Sequence, residues 1–196
     1  MTTFYLIRHG NKKRQPGNLG LSELGKLQAE RTARYTKKLH VTAIYTSPYT
    51  RAKETSQIIS CVLRIPITEE NLLKERMNWG KENQSFDEFI QDWEYATNNP
   101  EFKPKYGYSV KETAKRMGKF MRKLASNAEN GHIILVTHGG AIRDYLVMLS
   151  EKHRKIFANR QMEGVRECSI TKIIYNGNKS IVEYFDKTDH LENNLS

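Results

Sequence analysis

No stretch of this 196-residue chain approaches the ~18 consecutive apolar residues that a membrane-spanning helix needs. An N-terminal secretory signal is not expected either, because Arg8, His9 and Lys12 to Arg14 interrupt any apolar region there. Cysteine is scarce: Cys61 and Cys168 stand alone, with no metal-binding spacing. A chain of this length needs no disulfide staple, so both are expected as free thiols in a reducing, cytoplasmic setting. Internal repeats, low-complexity tracts and a linker that would divide the chain are all missing. The expected organisation is therefore one domain over residues 1–196.

Charge is what the sequence has in excess. Thirty-two Lys and Arg face 22 Asp and Glu, a formal net charge of +10. Such a balance suits nucleic acid, an anionic surface or a small polyanionic substrate. The basic residues are spread out, with small clusters at Lys12–Arg14, Lys37–Lys38 and Lys152–Lys155 and no long basic tail. Neither zinc-finger spacing, nor an aromatic RNA-binding motif, nor a recognition-helix pattern accompanies them. A basic nucleic-acid-binding protein thus rests on net charge alone, and neither a nucleic-acid nor a membrane partner is expected.

The apolar pattern alternates between strands and helices. Thr3–Arg8 and His132–Thr137 hold short apolar runs of the kind buried on both faces of a sheet, and Val41–Thr46 reads as a further strand with Ile44 and Tyr45 buried. Ile65–Thr68 is a candidate short strand. Ser22 reads as the cap of a helix to about Leu39. Ser47-Pro48 reads as the start of a helix through Val62. Ser85 with Glu88, and Ser109 with Glu112, have capping-box spacing. Behind the second box, Val110, Ala114, Met117, Met121 and Leu124 mark one helical face. A further helix is expected from His138-Gly139-Gly140 to about Leu149. Ser169–Tyr175 and Ser180–Phe185 flank Asn176-Gly177-Asn178, a hairpin signal. These alternations predict a three-layer α/β/α sandwich with a mainly parallel sheet and a C-terminal antiparallel hairpin. Ligands of such folds gather beyond the carboxyl ends of the parallel strands.

Chemistry-bearing residues fall at that end. Arg8-His9-Gly10 closes the first strand, and Thr137-His138-Gly139-Gly140 closes a later one. Gly10 would permit an unusual backbone angle and close ligand approach. Arg51, in the first turn of the helix after Ser47-Pro48, opposes the helix dipole unless an anion binds there. Gly139 and Gly140 would leave backbone N–H groups open at a helix N-terminus, ready for an anion.

Together these blocks resemble the histidine phosphatase superfamily, which includes the cofactor-dependent phosphoglycerate mutases. Arg8-His9-Gly10 resembles its hallmark triplet. Leu21-Ser22-Glu23-Leu24-Gly25-Lys26-Leu27-Gln28-Ala29, Ser47-Pro48-Tyr49-Thr50-Arg51-Ala52-Lys53-Glu54-Thr55, Leu73-Lys74-Glu75-Arg76-Met77-Asn78-Trp79-Gly80 and Thr137 to Gly140 follow in family order. The resemblance implies a metal-independent phosphomonoesterase with no cofactor, acting on a small phosphorylated substrate. His9 would be the nucleophile that forms a phosphohistidine, its other ring nitrogen donating to a backbone carbonyl. Arg8, Arg51 and His138 would surround the phosphoryl oxygens, and Gly139 would offer its N–H. Glu75 would exchange protons with the leaving alcohol and with water.

Four residues at three places depart from the family pattern. Asn11-Lys12 replaces a common Glu-Thr or Glu-Ser, Gln15 stands where mutases carry Asn, and Tyr108 replaces an acid. Gln15 could still donate to phosphate through its amide. These departures concern substrate recognition, so the substrate stays open, as does the oligomeric state. A mutase is the alternative, although only Lys81–Tyr108 lies where the mutases carry longer insertions. A zinc site of His9, His138 and Glu75 is a further alternative, which the neighbouring Arg8 and Arg51 oppose.

Overall fold

The computed structural model describes residues 1–13, 15–80, 84–127, 131–159, 164–176 and 179–191. Six strands form one sheet: β1 (Thr2–Arg8), β2 (Ala43–Thr46), β3 (Ile67–Glu69), β4 (His132–Thr137), β5 (Ile170–Asn176) and β6 (Lys179–Lys187). Their order is β3-β2-β4-β1-β5-β6. The first four in that order pair in parallel, and β5 and β6 join antiparallel. The β5–β6 pairing runs as far as Asn176 opposite Lys179; Gly177 and Asn178 of the expected turn lie outside the described residues.

Alternation along the strands explains the three layers. Phe4, Leu6, Ile133 and Leu135 face one apolar cluster, which holds Met117, Phe120 and Met121 of α4 (Val110–Asn127), Ile142 and Leu146 of α5 (Gly139–Leu149) and Phe157 of α6 (Glu151–Asn159). Tyr5, Ile7, Ile134 and Val136 face the opposite cluster, with Ala33 of α1 (Glu23–Thr36) and Ala52 and Ile59 of α2 (Thr50–Leu63). Continuous apolar runs are what strands covered on both faces require. Helix α3 (Phe86–Asn98) stands apart, since Ala96 is its one fully buried residue.

Local signals place the helix starts. The Gly25 N–H donates to Ser22 Oγ at 3.1 Å, and both reciprocal bonds of the Ser85/Glu88 and Ser109/Glu112 boxes are made. Helix α1 ends at Thr36, and Lys37–Leu39 continue as a 3₁₀ turn. The expected start of α2 at Ser47-Pro48 is corrected: α2 begins at Thr50 with Tyr49 at the cap position. The Ser47 hydroxyl is engaged elsewhere, 2.7 Å from His138 Nε2. The third strand lies at 67–69, slightly beyond the expected run. Gly10 also needs a different reading, because its φ is not positive. A Cβ there would lie 2.5 Å from the Gly25 carbonyl oxygen, so close packing of the strand end against α1 requires the glycine. Both cysteines are free thiols, Cys61 exposed and Cys168 buried. Among the described residues no helix is long and apolar enough to cross a membrane.

Candidate active site

The β1–β4 register sets Arg8 opposite Thr137, so the residues that follow both strands emerge side by side. The rings of His9 and His138 lie 5.1 Å apart at their centroids. The His9 Nδ1–H donates to the Gly10 carbonyl at 2.7 Å. That bond fixes the tautomer and leaves Nε2 as a bare lone pair. Arg51, at the start of α2, donates to that lone pair from Nε at 3.0 Å. The other end of its guanidinium donates to Asn78 Oδ1 at 3.0 Å. Burial, followed by the nearby Arg51 and Arg8 charges, holds His9 well below the usual histidine value of 6.5. The same desolvation holds His138 well below it too, again helped by Arg51.

These shifts have a sign that can be tested. A depressed value means that the imidazole stays neutral as pH falls through 6.5. The His9 ring resonances of the free protein, followed by nuclear magnetic resonance, should keep the neutral pattern across that range. A titration centred near 6.5 would contradict the buried, cation-flanked environment.

Arg8 reaches over the start of α5, where its Nη1 donates to the Val165 carbonyl at 2.5 Å and its Nη2 to Glu167 at 3.3 Å. Glycine at 139 admits it, since a Cβ there would lie 3.2 Å from Arg8 Cδ. Two buried polar atoms in this group lack a partner among the described residues: Arg8 Nε and His138 Nδ1. Where the Ser47 hydroxyl donates to His138 Nε2, 2.7 Å away, His138 Nδ1 carries the proton. Both unpartnered atoms are then donors, and an oxyanion would satisfy them.

Glu75 arrives from the segment after a 3₁₀ turn at Asn71–Leu73. Its carboxylate accepts the Arg76 N–H at 2.8 Å and the Gly140 N–H at 3.1 Å. The Gly140 N–H expected to await a ligand is thus bound to the protein's own carboxylate at the positive end of α5. The Thr137 hydroxyl donates to the Leu73 carbonyl at 2.7 Å, and Arg116 donates to the carbonyls of Leu72 and Lys74. Tyr108 covers the Arg116 guanidinium at 4.9 Å, which gives the residue replacing the family's acid a packing role.

Arg8, His9, Arg51, Glu75, Gly139 and Gly140 line one cleft of about 620 Å³. His138 is fully buried behind it. Gln15 is exposed and is not brought to the cleft lining, where Lys12 and Gly17 of the same loop stand instead. Sequence reasoning overlooked Asn78, which lies inside the Leu73–Gly80 motif and ties Arg51 to the Gly17 carbonyl. It also overlooked Glu167, which joins Arg8 to Asn11. A third omission is the buried Arg76–Asp144 pair, 3.3 Å apart. Breaking such a pair typically costs about 3–5 kcal/mol through the charge left behind. Among the described residues no group of three or more His, Cys, Asp or Glu side chains is placed to hold a metal ion.

The chain matches the sequence model of the histidine phosphatase superfamily (branch 1) over residues 4–188. It is 30% identical over 158 residues to a protein named uncharacterized phosphatase PhoE from Bacillus subtilis, covering 76% of this chain and 78% of that one. The fold superimposes on Bacillus stearothermophilus YhfR with a TM-score of 0.80 and 25% identity, over 98% of this chain and 100% of the other. It also superimposes on a phosphoserine phosphatase variant from Entamoeba histolytica in complex with phosphoserine, with a TM-score of 0.77 and 23% identity, over 98% and 100% of the two chains.

Proposed function

The chain belongs to the histidine phosphatase superfamily and is a phosphatase of that class; on that premise we propose that it hydrolyses phosphate monoesters through a phosphohistidine on His9. The observation that carries this reading is the state of His9, with Nδ1 tied to the Gly10 carbonyl and Nε2 unprotonated against Arg51. A nucleophile must offer a lone pair, and this geometry supports Nε2 as the nitrogen that offers it.

In the first step Nε2 attacks phosphorus in line, the P–N bond forms and the P–O bond to the alcohol breaks. Arg51 Nε turns from Nε2 to a phosphoryl oxygen. Arg8 Nε and His138 Nδ1 are the unpartnered donors for the remaining charge. Phosphoryl transfer depends mainly on such positioning and charge stabilisation. Protonated Glu75 gives its proton to the departing oxygen. In the second step the Glu75 carboxylate takes a proton from water, whose oxygen attacks phosphorus and releases His9 with inorganic phosphate. The site groups supply every proton transfer, so the cycle calls for neither metal nor organic cofactor.

The test is turnover of 4-nitrophenyl phosphate by the purified protein without any bisphosphorylated primer. Stoichiometric release of nitrophenolate and inorganic phosphate is expected. Activity that appears only after priming with a bisphosphoglycerate would assign the protein to the mutases instead.

A further inference from the structure

Helix α3 presents an apolar stripe that does not enter the core. Phe86, Phe89, Ile90 and Trp93 recur at the spacing of one helical face, yet all four line the cleft, and Phe86 is 52% exposed. Helices ordinarily bury such a stripe against neighbouring elements. Here the rings form a continuous rail. Centroids lie 5.9 Å apart for Phe89–Trp93, 6.4 Å for Phe86–Phe89 and 5.0 Å for Trp79–Phe86.

The rail begins where the leaving group departs. A Cβ added to Gly140 would lie 2.5 Å from both Glu75 Oε1 and Trp93 Cη2, so the carboxylate and the indole edge meet at one point. Trp93 is held there firmly. The Arg76 guanidinium lies 4.0 Å from its ring centroid, and Arg76 also donates to the Trp93 carbonyl and to Thr97. An alcohol oxygen protonated by Glu75 must therefore carry its substituent directly onto Trp93. Across the cleft, Arg143 is turned toward Asp144 at 3.2 Å and lies over the Phe157 ring. A substrate with a short, charged substituent would leave the Phe86 and Phe89 faces uncovered and gain little of their apolar contact.

Resting on the phosphohistidine reading above, we propose that the preferred substrates are phosphate monoesters of alcohols carrying a planar apolar group. The ester oxygen sits between His9 and Glu75, and the flat group lies along α3.

The experiment compares kcat/KM for 2-(1-naphthyl)ethyl phosphate, propyl phosphate and O-phosphoserine. The first two are esters of alcohols with similar basicity, so their ratio reports apolar contact and not leaving-group chemistry. Burying the naphthyl group should favour its ester over propyl phosphate by about 10²-fold. Phe89→Ser should cut that preference by about tenfold, and Phe86→Ser should cut it by a smaller factor. The ratio is taken on one sample with both substrates, so partial misfolding of a variant cancels from it. A wild-type ratio near one, a preference for O-phosphoserine, or a ratio unchanged in both variants would overturn the proposal. Trapping separates this failure from failure of the catalytic reading. If acid-labile phosphate forms on His9 from all three esters without preference, only the substrate class falls. If none of the esters phosphorylates His9, the mechanism falls with it.

Discussion

Replacing His9 by alanine should reduce phosphate-ester turnover by at least about 10⁴-fold, because the proposed mechanism makes His9 the group that bonds to phosphorus. The wild-type protein, mixed with labelled ester and quenched, should carry acid-labile, base-stable phosphate on His9 alone. Nε2 should be the atom modified, since Nδ1 is committed to the Gly10 carbonyl. The His9→Ala variant should carry none. Label found on a serine or aspartate would sink the mechanism. His138→Ala is expected to behave differently, forming phosphoenzyme slowly, with a loss of ~10²–10³ typical of one removed charge-stabilising donor. Complete loss of labelling in a folded His138 variant would mean that His138 does more than stabilise charge.

That these two histidines are neighbours was legible in the sequence. Each ends an apolar run, and parallel strands deliver their carboxyl ends to one edge. The Arg8–Thr137 pairing then makes the two rings neighbours. Capping residues were equally readable, because Ser22, Ser85 and Ser109 act within three residues of themselves. Ser47 misled for the opposite reason. Its partner, His138, is 91 positions away, and no local pattern announces that a cap-like serine is already engaged. Asn78, Glu167 and the Arg76–Asp144 pair escaped on the same grounds, since each draws its meaning from partners far along the chain. Helix α6 was hidden because it follows α5 after Ser150 alone, with no glycine or proline between them, and its Lys and Arg residues read as surface. The aromatic face of α3 looks in sequence like any core stripe. Whether such a stripe meets core or cleft is decided by tertiary packing, which periodicity does not encode.

Glu75→Gln should slow alkyl phosphates by about 10²–10⁴-fold, the usual worth of a general acid, and slow 4-nitrophenyl phosphate by less than about tenfold. The difference arises at the leaving oxygen. An alkoxide departs only with a proton, whereas nitrophenolate departs unaided. The substitution also disturbs the ground state. The Glu75 carboxylate accepts N–H bonds from Arg76 and Gly140 on its two oxygens, and an amide has one oxygen and an NH₂ that cannot accept. That disturbance acts on both substrate types alike, so it lowers both rates without producing the gap between them. Steady-state rates blur the gap further. In the proposed cycle Glu75 is also the base for water in the second step, so phosphoenzyme should accumulate and dephosphorylation should come to limit both substrates. The informative measurement is therefore single-turnover phosphorylation of His9 by each ester in a rapid-quench experiment. A large gap between the two esters assigns the proton to Glu75. Equal slowing of the two would show that Glu75 only shapes the start of α5, and the donor would then have to be sought at Glu94, the other carboxylate among the described residues lining the cleft.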